Sequence, residues 1–265
     1  MAKIAGGNYG ALVSGQSLYD FTDAPTCAVG TRLPLGDRVF YYSKFSADID
    51  AGVMASTDAS IAGPILLADD KLGTMTKAQS QFSEIPIVDD PTVGQKVIAI
   101  TDTTLASVTA GMLENGYIVL TDSGGVDQIY KIRKNGAYAG RKAQTVEIEL
   151  YDDIRTAITG GTAGICISCS PFMNLKIIAV DSDEHPAGVP LVAVDYSEKP
   201  YGWVQTWGLA MVVLTGTSGL PGNNLILGAG TVIPATDGVL GTVGVATCAV
   251  TTTLDASLAY LRLHV

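Results

Sequence analysis

Short runs of β-branched and aromatic residues, separated by turn-forming residues, are the pattern that most restricts the fold. The clearest run is 146–150, where Val146, Ile148 and Leu150 alternate with glutamates. Because successive side chains of a strand point to opposite faces, this run predicts an antiparallel strand with one buried face. In the last third of the chain such runs recur about every 8–12 residues, a spacing typical of antiparallel barrels and sandwiches.

Turn residues separate these runs and indicate hairpins. Asn115-Gly116 precedes one run, and a Ser-Gly-Gly segment at 123–125 lies between two others. Asn and Gly tolerate the positive φ angles that tight turns require. The predicted strands are 38–42, 97–101, 117–122, 128–133, 146–150, 175–180, 189–196, 202–215, 225–227, 231–233, 239–250 and 258–265. Helical signals are confined to 68–82 and to a turn at 152–159, so the sequence predicts a mainly β protein of antiparallel β-barrel or sandwich modules with little helix.

Two glycine-containing segments divide the chain in sequence. They are 89–94 (DDPTVG) and 159–164 (TGGTAG), and both are typical of connectors. We therefore expect an N-terminal arm and β region at 1–90, a β module at 91–160 and a C-terminal β-barrel or sandwich at 165–265.

Composition excludes several classes of protein. Hydrophobic residues make up 47% of the 265 residues, which is too high for a disordered chain. The net charge of −10 lacks the basic surplus of a nucleic-acid binder, and no apolar run is long enough for a membrane-spanning helix. The first ten residues lack the apolar stretch of a secretory signal, so we expect synthesis in a cytosol.

The cysteines are the first candidates for chemistry. Cys166 and Cys169 have the C-x-x-C spacing of redox and zinc motifs, and Cys27 and Cys248 stand alone. A structural zinc needs four ligands, and a redox motif places its first cysteine at a helix N-terminus. The sequence offers neither context, so we interpret the four cysteines as buried free thiols in a reducing compartment.

The remaining polar motifs do not identify an enzyme. The acidic segment 181–186 (DSDEHP) lacks the glycine and glutamate positions of a calcium-binding EF-hand loop, and we interpret it as an acidic turn. His185 and His264 have no partner in a catalytic motif. We nominate no catalytic residue, cofactor or metal ligand, and we expect a protein that is not an enzyme.

The segment 201–208 (YGWVQTWG) contains both tryptophans. On a regular strand Tyr201, Trp203 and Trp207 would share a face, because their spacing is even. Two interpretations are open: these residues anchor a subunit interface, or they form the core of a β-barrel.

Several segments in this order resemble virion structural proteins of tailed bacteriophages, in particular capsid decoration or cement proteins. They are 35–42 (LGDRVFYY), 50–53 (DAGV), 114–120 (ENGYIVL), 125–132 and 201–214. The resemblance implies a β-rich protein that is assembled in the host bacterial cytoplasm, binds the outside of the capsid and stabilises the head. Its implied partners are the major capsid protein and other copies of itself, as in a trimer, with no nucleic acid and no membrane. Tyr201, Trp203 and Trp207 are the candidate anchors.

Two other functions fit the same residues. One is a tail-associated or receptor-binding β protein that recognises host surface glycans, using the acidic turn at 181–184. The other is a β-structured hydrolase of the same virion, for which the sequence indicates no pair of catalytic carboxylates.

Overall fold

The part of the chain that the structure describes folds into β-sheet. The computed structural model describes residues 17–51, 53–57, 90–101, 110–121, 128–137, 145–158, 164–168, 170–177, 186–214, 224–227, 232–234, 244–246 and 255–263. Within these ranges there is no helix, and therefore none that could cross a membrane. The predicted fold class, antiparallel β modules with little helix, is confirmed.

Fifteen strands follow one another in the described residues. They are β1 (Arg32–Leu35), β2 (Arg38–Lys44), β3 (Ala55–Thr57), β4 (Val97–Thr101), β5 (Tyr117–Thr121), β6 (Gln128–Asn135), β7 (Thr145–Leu150), β8 (Gly164–Ser168), β9 (Leu175–Ile177), β10 (Pro186–Pro190), β11 (Tyr201–Leu214), β12 (Asn224–Leu227), β13 (Val232–Pro234), β14 (Gly244–Ala246) and β15 (Asp255–Arg262).

Most predicted strands coincide with these elements, and the exceptions have physical reasons. The run 189–196 contributes only its first two residues to β10, and the chain then turns. Residues 152–158 form bends and no helical turn, whereas 68–82 lies outside the described residues. The sequence did not indicate β1, because Pro34 interrupts its pattern. A proline is tolerated there, since among the described strands β1 pairs only with β2.

The chain divides into two compact units. The first combines Met1–Asp58 with Asn174–Val265, and the second is Ala59–Met173. The predicted division into 1–90, 91–160 and 165–265 is linear along the chain, whereas the first unit combines two segments that are separated in sequence. Its borders lie at the edge of, or inside, segments outside the described residues.

The second unit is an insertion whose two ends leave the first unit at neighbouring points. Thr57, the last residue of β3, is the register partner of Leu175, the first residue of β9. Directly opposed residues of antiparallel strands lie about 5 Å apart at their Cα atoms. The insertion therefore occupies the place of a hairpin loop between β3 and β9.

The first unit is organised around β11, its longest strand. β11 pairs with β2 and β10 through its first half and with β15 through its second half. From β15 the sheet continues through β14 and β12 to β13, and β13 pairs again with the end of β11 at Leu214 and Val232. The sheet thus curls back onto its central strand.

A β-bulge divides β11 at Thr206. Gln205 is opposite Phe40 and Trp207 is opposite Val39, so Thr206 is an extra residue in the ladder with β2. The buried side chain of Gln205 spans the bulge, since its Nε2 donates to the carbonyl oxygens of Trp207 (3.0 Å) and Leu209 (2.9 Å). A bulge of one residue reverses which side chains face the core.

The second unit contains a five-stranded antiparallel sheet in the order β4-β7-β6-β5-β8. The alternation predicted for 146–150 is confirmed, because Val146, Ile148 and Leu150 are buried. They belong to a core on one face of the sheet that also contains Ile98, Ile100, Leu113, Ile118, Leu120, Tyr130, Ile132, Ile154, Ile158 and Ile167.

The hydrogen bonds of Gln205 should contribute to the free energy of unfolding of the first unit. Gln205→Met removes two side-chain hydrogen bonds and leaves two carbonyls near the bulge without these donors, so we expect a loss of about 2–3 kcal/mol in the free energy of unfolding. Tryptophan fluorescence in a denaturant titration measures it, because both tryptophans lie in the first unit. The control, Met in place of the exposed Glu198, should change stability by less than about 0.5 kcal/mol. An equal effect of the two substitutions would show that Gln205 does not hold the bulge.

The geometry of the insertion predicts that the first unit folds alone. In a variant with Gly-Gly in place of 59–173, the linker replaces the insertion with a tight loop between two strands that are already paired. We expect cooperative unfolding and a buried-tryptophan emission spectrum like that of the full chain. A variant with the spectrum of a denatured chain would contradict the division into units.

Candidate interaction surface

An apolar strip covers the second half of β11 and the adjoining β15. We define the outer strip as Trp207, Leu209 and Met211 of β11 with Leu258, Tyr260 and Arg262 of β15. These residues form three cross-strand rows, since Trp207 is opposite Arg262, Leu209 is opposite Tyr260 and Met211 is opposite Leu258.

The outer strip exists because the bulge reverses the strand. Beyond Thr206, the buried positions of β11 are Gly208, Ala210 and Val212, and the alternate positions face outward. The relative exposure is 42% for Leu209 and 39% for Met211, and Leu258 on the neighbouring strand reaches 43%.

Aromatic and cationic groups order one end of the outer strip. The ring of Trp207 meets that of Tyr260 edge-on, with 5.9 Å between centroids and 78° between planes. The guanidinium carbon of Arg262 lies 5.7 Å from the centroid of the Tyr260 ring. Such pairs each contribute about 0.5–1.5 kcal/mol and restrict the rings, so this end presents a defined shape.

Small residues on the opposite side of the two strands allow the sheet to curl. Ala210 is opposite Ala259, and Gly208 is opposite Leu261. At Gly208, φ is +89°, and a Cβ atom there would lie 2.4 Å from the backbone oxygen of Asp37. The large side chains of this part of β11 therefore lie on its outer face, where they form a continuous apolar surface of the kind that marks interaction sites.

The three predicted anchors lie in two different places. Trp203 is buried, at 2% relative exposure, and meets the Tyr42 ring edge-on at 5.2 Å. Tyr201 is half-buried, and its ring stacks on Tyr42 with a centroid distance of 6.5 Å. Trp207 is half-buried and belongs to the outer strip. The prediction that all three share a face is wrong, because the bulge at Thr206 separates Trp207 from the other two.

Tyr42 makes Tyr201 and Trp203 part of the core packing. Its ring is fully buried, and its hydroxyl accepts hydrogen bonds from the backbone N–H of Thr26 (3.1 Å) and from the Thr26 hydroxyl (3.2 Å). These bonds hold the segment before β1 against the Tyr42 ring, which in turn contacts the rings of Tyr201 and Trp203. Trp203 contributes a buried Nε1, and Gln205 a buried Oε1, that have no hydrogen-bond partner in the described residues.

Sequence reasoning missed β15 as half of the surface. The run at 258–265 was predicted as a strand, but nothing local indicates its neighbour in the sheet. The usable signal was the alternation of Leu258, Tyr260 and Arg262 with Ala259 and Leu261, which predicts one face of small and aliphatic residues and one outward face.

Most of the predicted chemical motifs lie outside the described residues. Cys27 is a half-buried free thiol; burial raises its pKa, and hydrogen bonds with Thr31 and Thr26 oppose that shift. Cys166 lies in β8 opposite Val119, whereas its side chain, Cys169 and Cys248 lie outside the described residues. The acidic turn at 181–184, His185 and His264 also lie outside them. In the described ranges no cluster of three His, Cys, Asp or Glu residues has metal-binding geometry.

Comparison of the chain with protein-family models, with curated proteins and with solved structures found no match.

The placement of the two tryptophans predicts their fluorescence. Trp207→Phe leaves the buried Trp203, so its emission should be blue-shifted and weakly quenched by acrylamide. Trp203→Phe leaves the half-buried Trp207, whose quenching constant should be about two- to threefold larger, in line with its greater solvent contact. Equal quenching of the two variants, each folded by circular dichroism, would contradict the reversal of faces at the bulge.

Proposed function

We propose that this protein is a non-enzymatic virion protein of a tailed bacteriophage, which binds the outer capsid surface and stabilises the head. The observation that carries the proposal is the outer strip, a continuous apolar surface on a curled antiparallel sheet. The strip also coincides with the resemblance, because Trp207, Leu209 and Met211 lie within the segment 201–214 that is similar to decoration proteins.

The mechanism is burial of apolar surface between two preformed faces. Apolar area removed from water contributes about 25 cal/mol per Å², and the outer strip already exposes leucine and methionine side chains in a fixed sheet. Rigid strands lose little conformational entropy on binding, so more of the burial energy appears as affinity. The Trp207–Tyr260 pair is the anchor of this surface, since aromatic residues dominate the energetics of interfaces.

The same surface supports self-association. The resemblance implies a homo-oligomer, and an exposed apolar face is costly for a monomer in water. We propose the major capsid protein and further copies of this chain as partners, assembled in the host bacterial cytoplasm and located on the capsid exterior, without nucleic acid or membrane contacts.

Charge substitutions in the outer strip test this function. Leu209→Asp and Met211→Asp place a carboxylate where apolar burial is required, so cosedimentation with purified phage heads should weaken by at least about tenfold, equivalent to 1.4 kcal/mol. Measured at a protein concentration where the wild type is monomeric, the unfolding free energy should change little, because both side chains are exposed in the single chain. Ile177→Asp is the matched control, since Ile177 is 43% exposed in β9 of the same unit.

The salt dependence of head binding and the mass of the protein in solution test the same proposal. Apolar burial predicts that head binding changes less than about threefold across the range in which exposed ion pairs are screened. Light scattering of the wild-type protein should give a discrete oligomer that Leu209→Asp shifts toward monomer. A wild-type monomer that does not cosediment with heads would refute the proposed function.

A further inference from the structure

The second unit presents a row of polar and aromatic side chains on the face of its sheet opposite the core. The row consists of Tyr117 in β5, Lys131 in β6 and Tyr151 directly after β7. The inward neighbours of these residues, Ile118 and Ile132, are fully buried, so the row faces away from the core.

The sheet register aligns the three side chains. Tyr117 is the direct partner of Lys131 in the ladder between β5 and β6. On the other side, the backbone N–H of Tyr151 donates to the carbonyl oxygen of Lys131 at 3.0 Å. With strands about 4.8 Å apart, the two tyrosines lie on either side of the lysine across a span of roughly 10 Å.

Both rings are open to solvent, and one of them is held in place. Tyr117 is 45% exposed and Tyr151 is 41% exposed. The Tyr151 hydroxyl donates to Oδ1 of Asn115 at 3.3 Å, and Asn115 is itself buried at 7% exposure. Asn115 lies in a turn with φ of +62°, and its backbone N–H donates to the carbonyl of Ile132 in β6. The hydrogen bond to Asn115 therefore restricts the orientation of the Tyr151 ring.

The lysine supplies a positive charge at the centre of the row. Its Nζ lies 5.7 Å from the centroid of the Tyr151 ring, within the range of a cation–π contact. In the described part of the chain Lys131 forms no ion pair, whereas the neighbouring Arg133 is engaged by Glu149 at 2.9 Å. The ammonium is therefore available to an anionic group that approaches from solvent.

The next row of the same face is apolar. Val119 is opposite Ile129, and Ile129 is 67% exposed. The face thus offers two aromatic rings, one cation between them and an aliphatic border, a combination that differs from the all-apolar outer strip of the first unit.

We propose that the row Tyr117–Lys131–Tyr151 binds an acidic polysaccharide of uronic-acid type. The C–H face of a sugar ring carries a partial positive charge and stacks on the negative face of a tyrosine ring. A carboxylate of the polymer receives charge-assisted hydrogen bonds from the Lys131 ammonium. A nucleic acid is a poorer fit, because binding to a phosphate backbone depends on several Lys or Arg contacts, and the row supplies one ammonium.

This inference stands apart from the proposed capsid role. The row lies within Ala59–Met173, whereas the outer strip lies in the first unit, so either binding activity can fail while the other persists. Glycan binding is measured without phage heads, and head binding is measured without glycan.

Affinity electrophoresis of the full chain in gels containing alginate tests the proposal, with dextran gels as the neutral reference. We expect retardation by alginate and little by dextran. Tyr117→Ala and Lys131→Gln should each weaken alginate binding by about tenfold, through loss of stacking and of the charge-assisted bond respectively. Tyr196→Ala is the matched control, because Tyr196 is 44% exposed in the first unit, and it should bind like the wild type.

The outcomes separate sugar recognition from general attraction to polyanions. Thermal unfolding of each variant establishes that its fold is intact, and Tyr117→Ser replaces Tyr117→Ala if the latter unfolds. Retardation that falls in both row variants and not in Tyr196→Ala supports the proposal. No retardation by alginate, retardation that Tyr117 substitutions leave unchanged, or retardation of the wild type by dextran sulfate as strong as by alginate would overturn it.

Discussion

The bulge at Thr206 is the constraint on which the first unit depends. Before it, β11 is covered on both faces, because Trp203 packs on Tyr42 and Val204 is fully buried as well. After it, one face carries Gly208 and Ala210 inward, and the other turns the large side chains outward. The amide of Gln205 makes this reversal stable, since it donates to two carbonyls on the far side of the bulge. One side chain thus links the aromatic core to the exposed surface.

The same reversal explains why the sheet can curl. A tightly curled sheet has little interior room. Where β15 pairs with β11 and β14, several inward positions are small: Gly208, Ala210, Ala259 and Gly244. At Gly244 an added Cβ would lie 2.5 Å from the backbone oxygen of Tyr260, so the strands approach too closely for any larger residue. Val212 and Leu261 also face inward, but the largest side chains of the second half of β11 lie on the outer face, and the curl thus favours the apolar outer strip.

Local patterns predicted the strands better than their arrangement. The alternation of 146–150 predicted the buried face of β7 correctly, because such alternation depends only on the geometry of one strand. The placement of Trp207 depended on a single inserted residue, and no feature of 201–208 distinguishes a bulge from a continuous strand except Gly208. Likewise the pairing of Thr57 with Leu175 spans the whole insertion, and no local signal specifies a partner so distant in sequence. The short strands β1 and β3 form because β2 and β9 are there to pair with them, not because of their own sequences.

The outer strip lies in the first unit and the row of Tyr117, Lys131 and Tyr151 lies in the inserted second unit, so the two surfaces belong to different sheets. Because the insertion leaves from adjacent ends of paired strands, its folding adds little closure entropy to the first unit, and each sheet keeps its own core. An apolar strip such as Leu209 and Met211 favours a long-lived contact, since burial in water is favourable whatever the salt concentration. The row of Tyr117, Lys131 and Tyr151 is exposed and carries a charge, so a ligand bound there would exchange its contacts with water and dissociate readily. Under the two proposals, the outer strip of the first unit serves a long-lived attachment and the row of the second unit serves an exchangeable one.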